Sequence, residues 1–312
     1  MNYDISLVIA TFNGGKTLPR TIESINNLII PTGLKVNIVI INNNSNDDTQ
    51  KILDNAQFPC PKLVLFETKQ GKNAALNKIF NNEVSLGDLI IFSDDDVIFP
   101  QNFLTRYSAI SKEFSDISIF GGGVAPFWLK EPPRSLLVGI DTVVAYAITP
   151  KEQGYCQGLI DPVKIHGPNM AIRRDIFLGS IRFNEDIGPN GANYMMGSET
   201  EILYRLRELG HRAYFDEYNE VFHIISPEQA SKKWIEERAY KAGRSFLMHQ
   251  IKGGNKFIVP ELNGFPRWAL KKIWKMYCLR VVFFYNPALR YKFSWKISHL
   301  KGYCDEYKMF RK

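Results

Sequence analysis

Apolar residues over the first hundred positions fall into short unbroken runs separated by polar breaks. Ile5-Ser6-Leu7-Val8-Ile9-Ala10 is the first run, and it stops at Thr11-Phe12-Asn13-Gly14-Gly15. Leu18, Ile22, Ile25 and Ile29 then recur at helical spacing. Val36 to Ile41 forms a second run, broken by Asn42 to Asp48, after which Asp47 and Gln50 predict a helix start with Ile52, Leu53 and Ala56 on its apolar side. Leu63 to Phe66 is the third run, and Gly71-Lys72-Asn73-Ala74-Ala75-Leu76-Asn77 opens the next helix. Leu89 to Phe92 is the fourth. Short runs without in–out alternation are the pattern of strands buried on both faces. Their alternation with helices predicts an α/β fold with a mostly parallel sheet, right-handed crossovers and helices on its faces.

Beyond about Gly121 the pattern loosens into Gly121-Gly122-Gly123, Glu131-Pro132-Pro133 and an irregular stretch from Gly154 to Pro168. Ser198 and Glu201 predict a capping box opening a helix over 199–209, which Gly210 ends. Val221-Phe222-His223 follows as a short strand. Ser226-Pro227-Glu228-Gln229 predicts a further helix, running to about Gln250 before Gly253-Gly254. The expected organisation is a catalytic domain over 1–226, in halves 1–120 and 121–226, followed by a helical basic and aromatic extension over 227–312.

In a sheet of this topology the loops after the strands gather at one end, where open α/β sheets bind ligands. That convergence brings Thr11, Asn13, Asn43, Lys72 and Asp94-Asp95-Asp96 to one crevice. Three consecutive carboxylates at the end of a buried strand repel one another unless water or a cation neutralises them. Their hard oxygens suit Mg²⁺ or Mn²⁺, and such an ion is the usual means of gripping a diphosphate. The first turn, Ala10-Thr11-Phe12-Asn13-Gly14-Gly15, lacks the dinucleotide-binding glycine spacing, and there is no P-loop.

Charge divides the 312-residue chain unevenly. Residues 227–312 hold 19 Lys and Arg against 6 Asp and Glu, whereas residues 1–226 hold 20 against 26. An acidic first part without a nucleic-acid motif argues against a nucleic-acid partner. The four cysteines have no metal-type spacing and read as free thiols. With no leader pattern and no run long enough to cross a bilayer, the expected location is the cytoplasm, either free or held on the inner face of the cell membrane. Within 265–312, 13 aromatics accompany 12 Lys and Arg and 2 acids. Trp268, Ile273, Trp274, Tyr277 and Val281 recur at helical spacing among Arg267, Lys271, Lys272 and Lys275, which suits a helix lying on an anionic membrane surface. Packing of these aromatics onto the rest of the chain is the alternative.

Taken together, Leu7-Val8-Ile9-Ala10-Thr11-Phe12-Asn13, Ile40-Ile41-Asn42-Asn43-Asn44-Ser45, Gly71-Lys72 with Ala75 and Asn77, Ser93-Asp94-Asp95-Asp96, Asn169-Met170-Ala171 with Arg173-Arg174, and Gly197-Ser198-Glu199-Thr200-Glu201 make an ordered set. In order and spacing, over residues 5–225, the chain resembles the family 2 glycosyltransferases, inverting enzymes of the Rossmann-like GT-A fold that use nucleotide-diphosphate sugars.

That resemblance implies a donor site of Ala10, Thr11, Asn13, Asn43, Lys72, Asn77, Asp94 and Asp95 for a UDP-, GDP- or dTDP-sugar. It implies Asp95, Asp96 and His223 at a Mg²⁺ or Mn²⁺ ion, with Asp94 towards the ribose. Glu199 falls on the catalytic carboxylate, where Asp is usual. His166, Asn169 and Met170 fall beside the acceptor, expected to be a glycan or lipid-linked glycan. Two departures stand out: Asn43 replaces the Asp usual in UDP users, and Ser93 takes the first acidic position of D-x-D. Arg238, Tyr240 and Arg244 are candidates for reaching the diphosphate, or else form a solvated basic face. A non-catalytic sugar-nucleotide-binding module of the same fold is the competing reading, and intact Asp95, Asp96 and Glu199 weigh against it.

Overall fold

The computed structural model describes residues 3–81, 83–151, 154–188, 196–252 and 259–311. In chain order the first part runs β1 (Ile5–Thr11), α1 (Leu18–Asn26), β2 (Val36–Asn42), α2 (Thr49–Asn55), β3 (Lys62–Phe66), α3 (Lys72–Asn77), β4 (Leu89–Asp94), β5 (Val97–Ile98), α4 (Phe103–Glu113) and β6 (Ile119–Trp128). It continues through α5 (Arg134–Gly139), α6 (Thr142–Tyr146), β7 (Gly158–Ile160), β8 (Met170–Arg173), α7 (Ser198–Glu208) and β9 (Ala213–Ile225). The remainder is α8 (Lys232–Lys252), the small hairpin β10 (Glu261–Leu262) and β11 (Phe265–Pro266), α9 (Arg267–Val282) and α10 (Pro287–Phe310).

Among the described residues one nine-stranded sheet has the path β3-β2-β1-β4-β8-β6-β9-β5, with β7 pairing on β9. The pairs β2–β3, β1–β2 and β1–β4 are parallel, and from β4–β8 onwards the registered pairs are antiparallel. The central strands are buried on both faces, as their unbroken apolar runs require. Alternate residues go to opposite cores. Leu7, Ile9, Ile38, Ile40 and Ile91 pack with Leu18, Ile22, Phe103 and Tyr107 from α1 and α4. Val8, Val39, Ile41 and Ile90 pack with Ala75, Leu76, Ile202, Leu203 and Leu206 from α3 and α7.

The antiparallel half is fastened by a buried amide. Asn169 is fully buried; its Oδ1 accepts from Tyr107 Oη (2.7 Å), and its Nδ2 donates to the carbonyls of Gly123 (2.9 Å) and Asn219 (2.6 Å). Gly122 lies against the same spot, where any Cβ would overlap the Asn219 carbonyl. Nearby, Asp216 is fully buried and receives two bonds from the Arg106 guanidinium, at 2.6 and 2.5 Å, which ties α4 to β9.

The chain falls into two compact units. One comprises Met1–Phe127, Ala147–Asn193 and Gly197–Ile224, and the other Trp128–Tyr146, Tyr194–Met196 and Ile225–Lys312. Residues 128–146, which the sequence grouped with 121–226, therefore pack elsewhere: α5 lies on α10, and α6 on α8. The Gly253-Gly254 break lies outside the described residues.

Within the second unit, α8 and α10 approach backbone to backbone at two glycines. A Cβ at Gly243 would overlap the His299 carbonyl, and one at Gly302 the Tyr240 carbonyl. The crossing is tied by Arg244 Nε to Glu306 Oε2 (2.7 Å) and Tyr240 Oη to Asp305 Oδ2 (2.8 Å). Tyr240 and Arg244 thus have partners on α10, where the sequence offered a diphosphate or solvent.

The predicted aromatic stripe of α9 also divides. Trp268 rests on Tyr303 with ring centroids 5.3 Å apart, Tyr277 lies under Arg280 and Lys301, and Ile273 is half-buried. Trp274 and Val281 face outward.

Two predicted helix starts differ in outcome. Ser226 and Gln229 do exchange bonds, Gln229 Oε1 accepting from Ser226 N at 2.8 Å and Ser226 Oγ from Gln229 N at 3.4 Å, but they close a turn ahead of α8. Ser198 is the first residue of α7 after a left-handed Gly197, so no capping box forms, and Glu201 instead pairs with Arg205 at 2.9 Å.

Gly302→Ala should destabilise the protein by about 1–3 kcal/mol, the usual range for forcing volume into a closed contact. Gly179, with open space around it, supplies a neutral Gly179→Ala control. Urea midpoints of the two variants test this, and equal midpoints would remove the close-packing account of the α8–α10 crossing.

Candidate functional site

The parallel register puts the carboxyl ends of β1 and β4 side by side, Ala10 opposite Asp94. Thr11 ends β1, and its Oγ1 donates to Asp95 Oδ2. Thr21 Oγ1, from α1, donates to the Asp95 carbonyl at 2.9 Å. Gly14 closes over this pair; a Cβ there would stand 2.5 Å from Asp95 Oδ2. Sequence reasoning took Gly14 only as a break and passed over Thr21, and a glycine three residues past the strand end is the one signal that was available.

Asn13, with φ at 54°, adopts a left-handed turn that joins the loops after β1 and β2. Its backbone N–H donates to Ser45 Oγ (3.0 Å), and its Oδ1 accepts from Asn46 N (2.9 Å). Asp47 completes the clasp by accepting from Gly15 N at 3.0 Å, rather than joining Gln50 in a cap.

Asn43 is buried, and its amide is spent inside the protein. Nδ2 donates to the carbonyls of Glu67 (3.2 Å) and Lys69 (2.7 Å), and Oδ1 accepts from Gly71 N (2.8 Å). Gly71, at φ 137°, turns in a way that side-chain-bearing residues rarely adopt, and α3 begins immediately after it. Asn43 therefore acts on the crevice indirectly, by fixing the loop that delivers Lys72.

Lys72 Nζ donates to both Asp94 Oδ1 and Glu199 Oε1. It joins β4 to the first turn of α7, with all three side chains largely buried. Burial alone would lower the lysine's pKa, but the two carboxylates outweigh it and hold Lys72 firmly protonated. Burial raises the Asp94 pKa even with Lys72 alongside. Gly167 gives Glu199 its room, since a Cβ there would come within 2.6 Å of Glu199 Cδ.

The next two carboxylates are held differently. Burial, with Asp96 and Asp94 adjacent, pushes the Asp95 carboxyl up to about 7. Burial acts on Asp96 too, but the His223 imidazole beside it prevails and lowers its pKa. His223 Nε2 lies 3.1 Å from Asp96 Oδ2 because β5 pairs with β9, Val97 opposite His223. Asp96 Oδ1 is buried without a hydrogen-bond partner among the described residues.

No group of three or more His, Cys, Asp or Glu gathers with metal-holding geometry among the described residues. What the protein offers a divalent cation is a pair of hard carboxylates, Asp95 with its pKa pushed up by burial and Asp96 with an oxygen that has no hydrogen-bond partner among the described residues. That donor set fits an ion whose remaining ligands are water or diphosphate oxygens.

Several sequence-predicted site residues lie elsewhere, each for a physical reason. Asn77 Nδ2 donates to the Phe183 carbonyl and Glu185 Oε1, both at 2.9 Å, and its Oδ1 accepts from Phe183 N at 3.0 Å, so it fastens α3 to a neighbouring segment instead of meeting a donor. Asn169 and Met170 are fully buried, the one among backbone carbonyls and the other in the hydrophobic core, which removes both from an acceptor surface. Ser93 is buried, and its Oγ donates to the Pro168 carbonyl at 2.7 Å, so the first position of D-x-D serves packing here. Ala10 is partly exposed at the strand end. His166 stacks on Tyr155 with centroids 5.7 Å apart, burial lowers its pKa to about 4, and its Nε2 is enclosed without a partner among the described residues. In the chain it precedes Gly167, which lies against Glu199.

Similarity to known proteins agrees with this geometry. The model of the family described as glycosyl transferase family 2 matches residues 6–178. A glucosyl-dolichyl phosphate glucuronosyltransferase of Haloferax volcanii is 20% identical over 250 residues, 77% of this chain and 75% of the relative. The succinoglycan biosynthesis protein ExoM of Rhizobium meliloti is 20% identical over 237 residues, 73% of this chain and 69% of the relative. Among solved structures, the mannosyltransferase PcManGT of Pyrobaculum calidifontis, in complex with GDP-Man and Mn²⁺, superposes with a TM-score of 0.56 at 15% identity, covering 96% of this chain and 73% of that one, and shares its fold. With the family model spanning more than half of its length and the carboxylates of that family's motifs gathered at one strand end, the chain belongs to glycosyl transferase family 2 and is a glycosyltransferase of the GT-A fold.

Proposed function

We propose that the protein transfers a hexosyl group from a nucleotide-diphosphate sugar to an acceptor hydroxyl, with inversion and with a divalent cation, in the synthesis of a cell-surface polysaccharide or glycolipid. The observation that carries this reading is Lys72, which holds Glu199 and Asp94 together beside Asp95 and Asp96. Support for the donor comes from the Pyrobaculum structure, solved with GDP-Man and Mn²⁺. Support for a lipid-linked or polysaccharide acceptor comes from the names of the two relatives, a glucosyl-dolichyl phosphate glucuronosyltransferase and a succinoglycan biosynthesis protein.

Asp95 and Asp96 would hold Mg²⁺ or Mn²⁺, with His223 orienting Asp96 from behind. When bound, the cation neutralises the charge that develops on the departing diphosphate. The loops around Thr11, Asn13 and Asn43, clasped by their own hydrogen bonds, form the wall for the nucleoside. Glu199 takes the proton from the acceptor hydroxyl. A base must be aimed, and the Lys72 ammonium fixes Glu199 by bonding one of its oxygens. Attack on the face opposite the diphosphate inverts the anomeric carbon. The first unit carries this chemistry, with the donor held by residues 1–120.

Glu199→Gln keeps the shape and a hydrogen-bonding side chain but removes the proton acceptor. Turnover should fall by roughly 10²–10⁴ while donor affinity stays near that of the parent. Glu201→Gln, altering only the pair with Arg205, should leave turnover intact. Steady-state rates with separately measured donor binding decide this, and a larger loss in Glu201→Gln would move the base there.

Asp95→Asn keeps the volume and an oxygen for Thr11. The variant should lose the Mn²⁺-dependent part of stabilisation by UDP, GDP or dTDP in thermal melts, with the ligand-free melting temperature unchanged or raised. Parent-like stabilisation by metal and nucleotide would exclude Asp95 as a ligand.

A pH dependence follows from the same carboxyl. Its folded pKa of about 7 lies above the value near 3.9 of an unfolded chain. Between those values the folded state holds a proton that the unfolded state has released, so this group's contribution to stability declines as pH rises through the window. A cation bound to the ionised form reverses the penalty. The Mn²⁺-induced rise in melting temperature should therefore be larger at about pH 8 than at about pH 5.5, and equal rises would show that the carboxyl is not the metal's partner.

A further inference from the structure

From the exposed side of α9 we infer a docking surface for an anionic lipid bilayer, independent of the transferase reading. Five side chains of large apolar area stand out from the second unit: Trp274, Val281, Val282, Phe284 and Tyr285, each 62–71% exposed. Trp274, the exposed Cys278, Val281, Val282 and Tyr285 follow the spacing i, i+4, i+7, i+8 and i+11, one stripe of a helix continued into the turn after it, and Phe284 adjoins the stripe in that turn.

The opposite side of α9 is where it packs. Ala269 is fully buried, Trp268 rests on Tyr303, Arg280 Nη1 donates to Ser294 Oγ at 3.3 Å, and Phe283 meets Phe293 at 6.2 Å between centroids. The helix is thus anchored along one face while its other face remains apolar. Isolated exposed hydrophobes need no explanation, but a contiguous row does.

Charge selects the occupant. The 16 residues of α9 include Arg267, Lys271, Lys272, Lys275 and Arg280 and no acid. Arg267, Lys271, Lys272 and Lys275 are exposed beside the stripe. The only acids after residue 261 are Asp305 and Glu306, and both are bonded to α8, by Tyr240 and Arg244. A second copy of the chain, docked stripe to stripe, would press two sets of like charges together with no anion to relieve them. An anionic headgroup layer complements the charge, and Trp and Tyr partition to the same depth. No helix among the described residues is long and apolar enough to cross a membrane, so α9 would lie in the interface plane.

Vesicle co-sedimentation of the full chain tests the assignment. The parent should pellet with vesicles of phosphatidylcholine containing about a third phosphatidylglycerol, should remain in solution with pure phosphatidylcholine, and should be released by added salt. Trp274→Ser with Val281→Ser and Phe284→Ser should abolish binding. Lys271→Glu with Lys275→Glu should weaken it by at least roughly fivefold for each cation removed. All five positions are exposed, so melting temperatures should match the parent's. A polarity-sensitive dye on Cys278, in a chain with Cys156→Ser, should shift to the blue on anionic vesicles alone. Failure of the parent to pellet, or parent-like binding by the variants, would overturn the inference. So would a dimer on size-exclusion chromatography that the serine variant dissolves with no vesicle binding by either chain, which would assign the stripe to a second copy.

Discussion

One buried cation organises the crevice. Asp94, Asp95, Asp96 and Glu199 bring four carboxylates to the end of a strand, and close like charges in a poorly solvated place are costly to ionise together. Lys72 answers two of them and His223 a third. Asp95, bonded by the Thr11 hydroxyl, has its pKa pushed up to about 7 by burial. The position of Lys72 is itself the product of a chain of bonds, from the Asn43 amide to Gly71 and from the Gly71 turn to the start of α3.

The two halves of the sheet contribute different things to this crevice. Parallel pairing of β1 with β2 and β4 puts three loop-bearing strand ends on one side, a direct consequence of helical crossovers. Antiparallel pairing of β9 with β5 supplies His223 from a segment over a hundred residues away in sequence. Asn169 secures β6 and β9 by bonding carbonyls on both, and a buried polar group so fully satisfied specifies position more than it adds stability.

The second unit follows the same economy of close contacts. Gly243 and Gly302 let α8 and α10 meet at the backbone, and across the crossing Arg244 pairs with Glu306 while the Tyr240 hydroxyl donates to Asp305. The acids of the last fifty residues are thereby consumed internally, and Arg267, Lys271, Lys272 and Lys275 of α9 stay exposed. Net charge in the sequence is a sum, whereas recognition depends on which charges remain after internal pairing.

Periodicity and loop chemistry in the sequence determined the alternating elements, the parallel order of the first four strands, the convergence of Thr11, Lys72 and Asp94–Asp96, and the presence of Glu199 at a helix start. These are local or topological properties, encoded in runs a few residues long. Tertiary structure decided everything that rests on pairing between distant segments. It sent the amides of Asn43, Asn77 and Asn169 inward, where each bonds backbone groups of distant segments. It buried Ser93 and Met170, bonded Lys72 to two carboxylates at once, and replaced the expected capping box of Ser198 with a left-handed glycine. It also chose which side of α9 faces outward. An amide or a hydroxyl reads the same in the chain whether it will face a ligand or a carbonyl, and only packing supplies the partner that tells them apart.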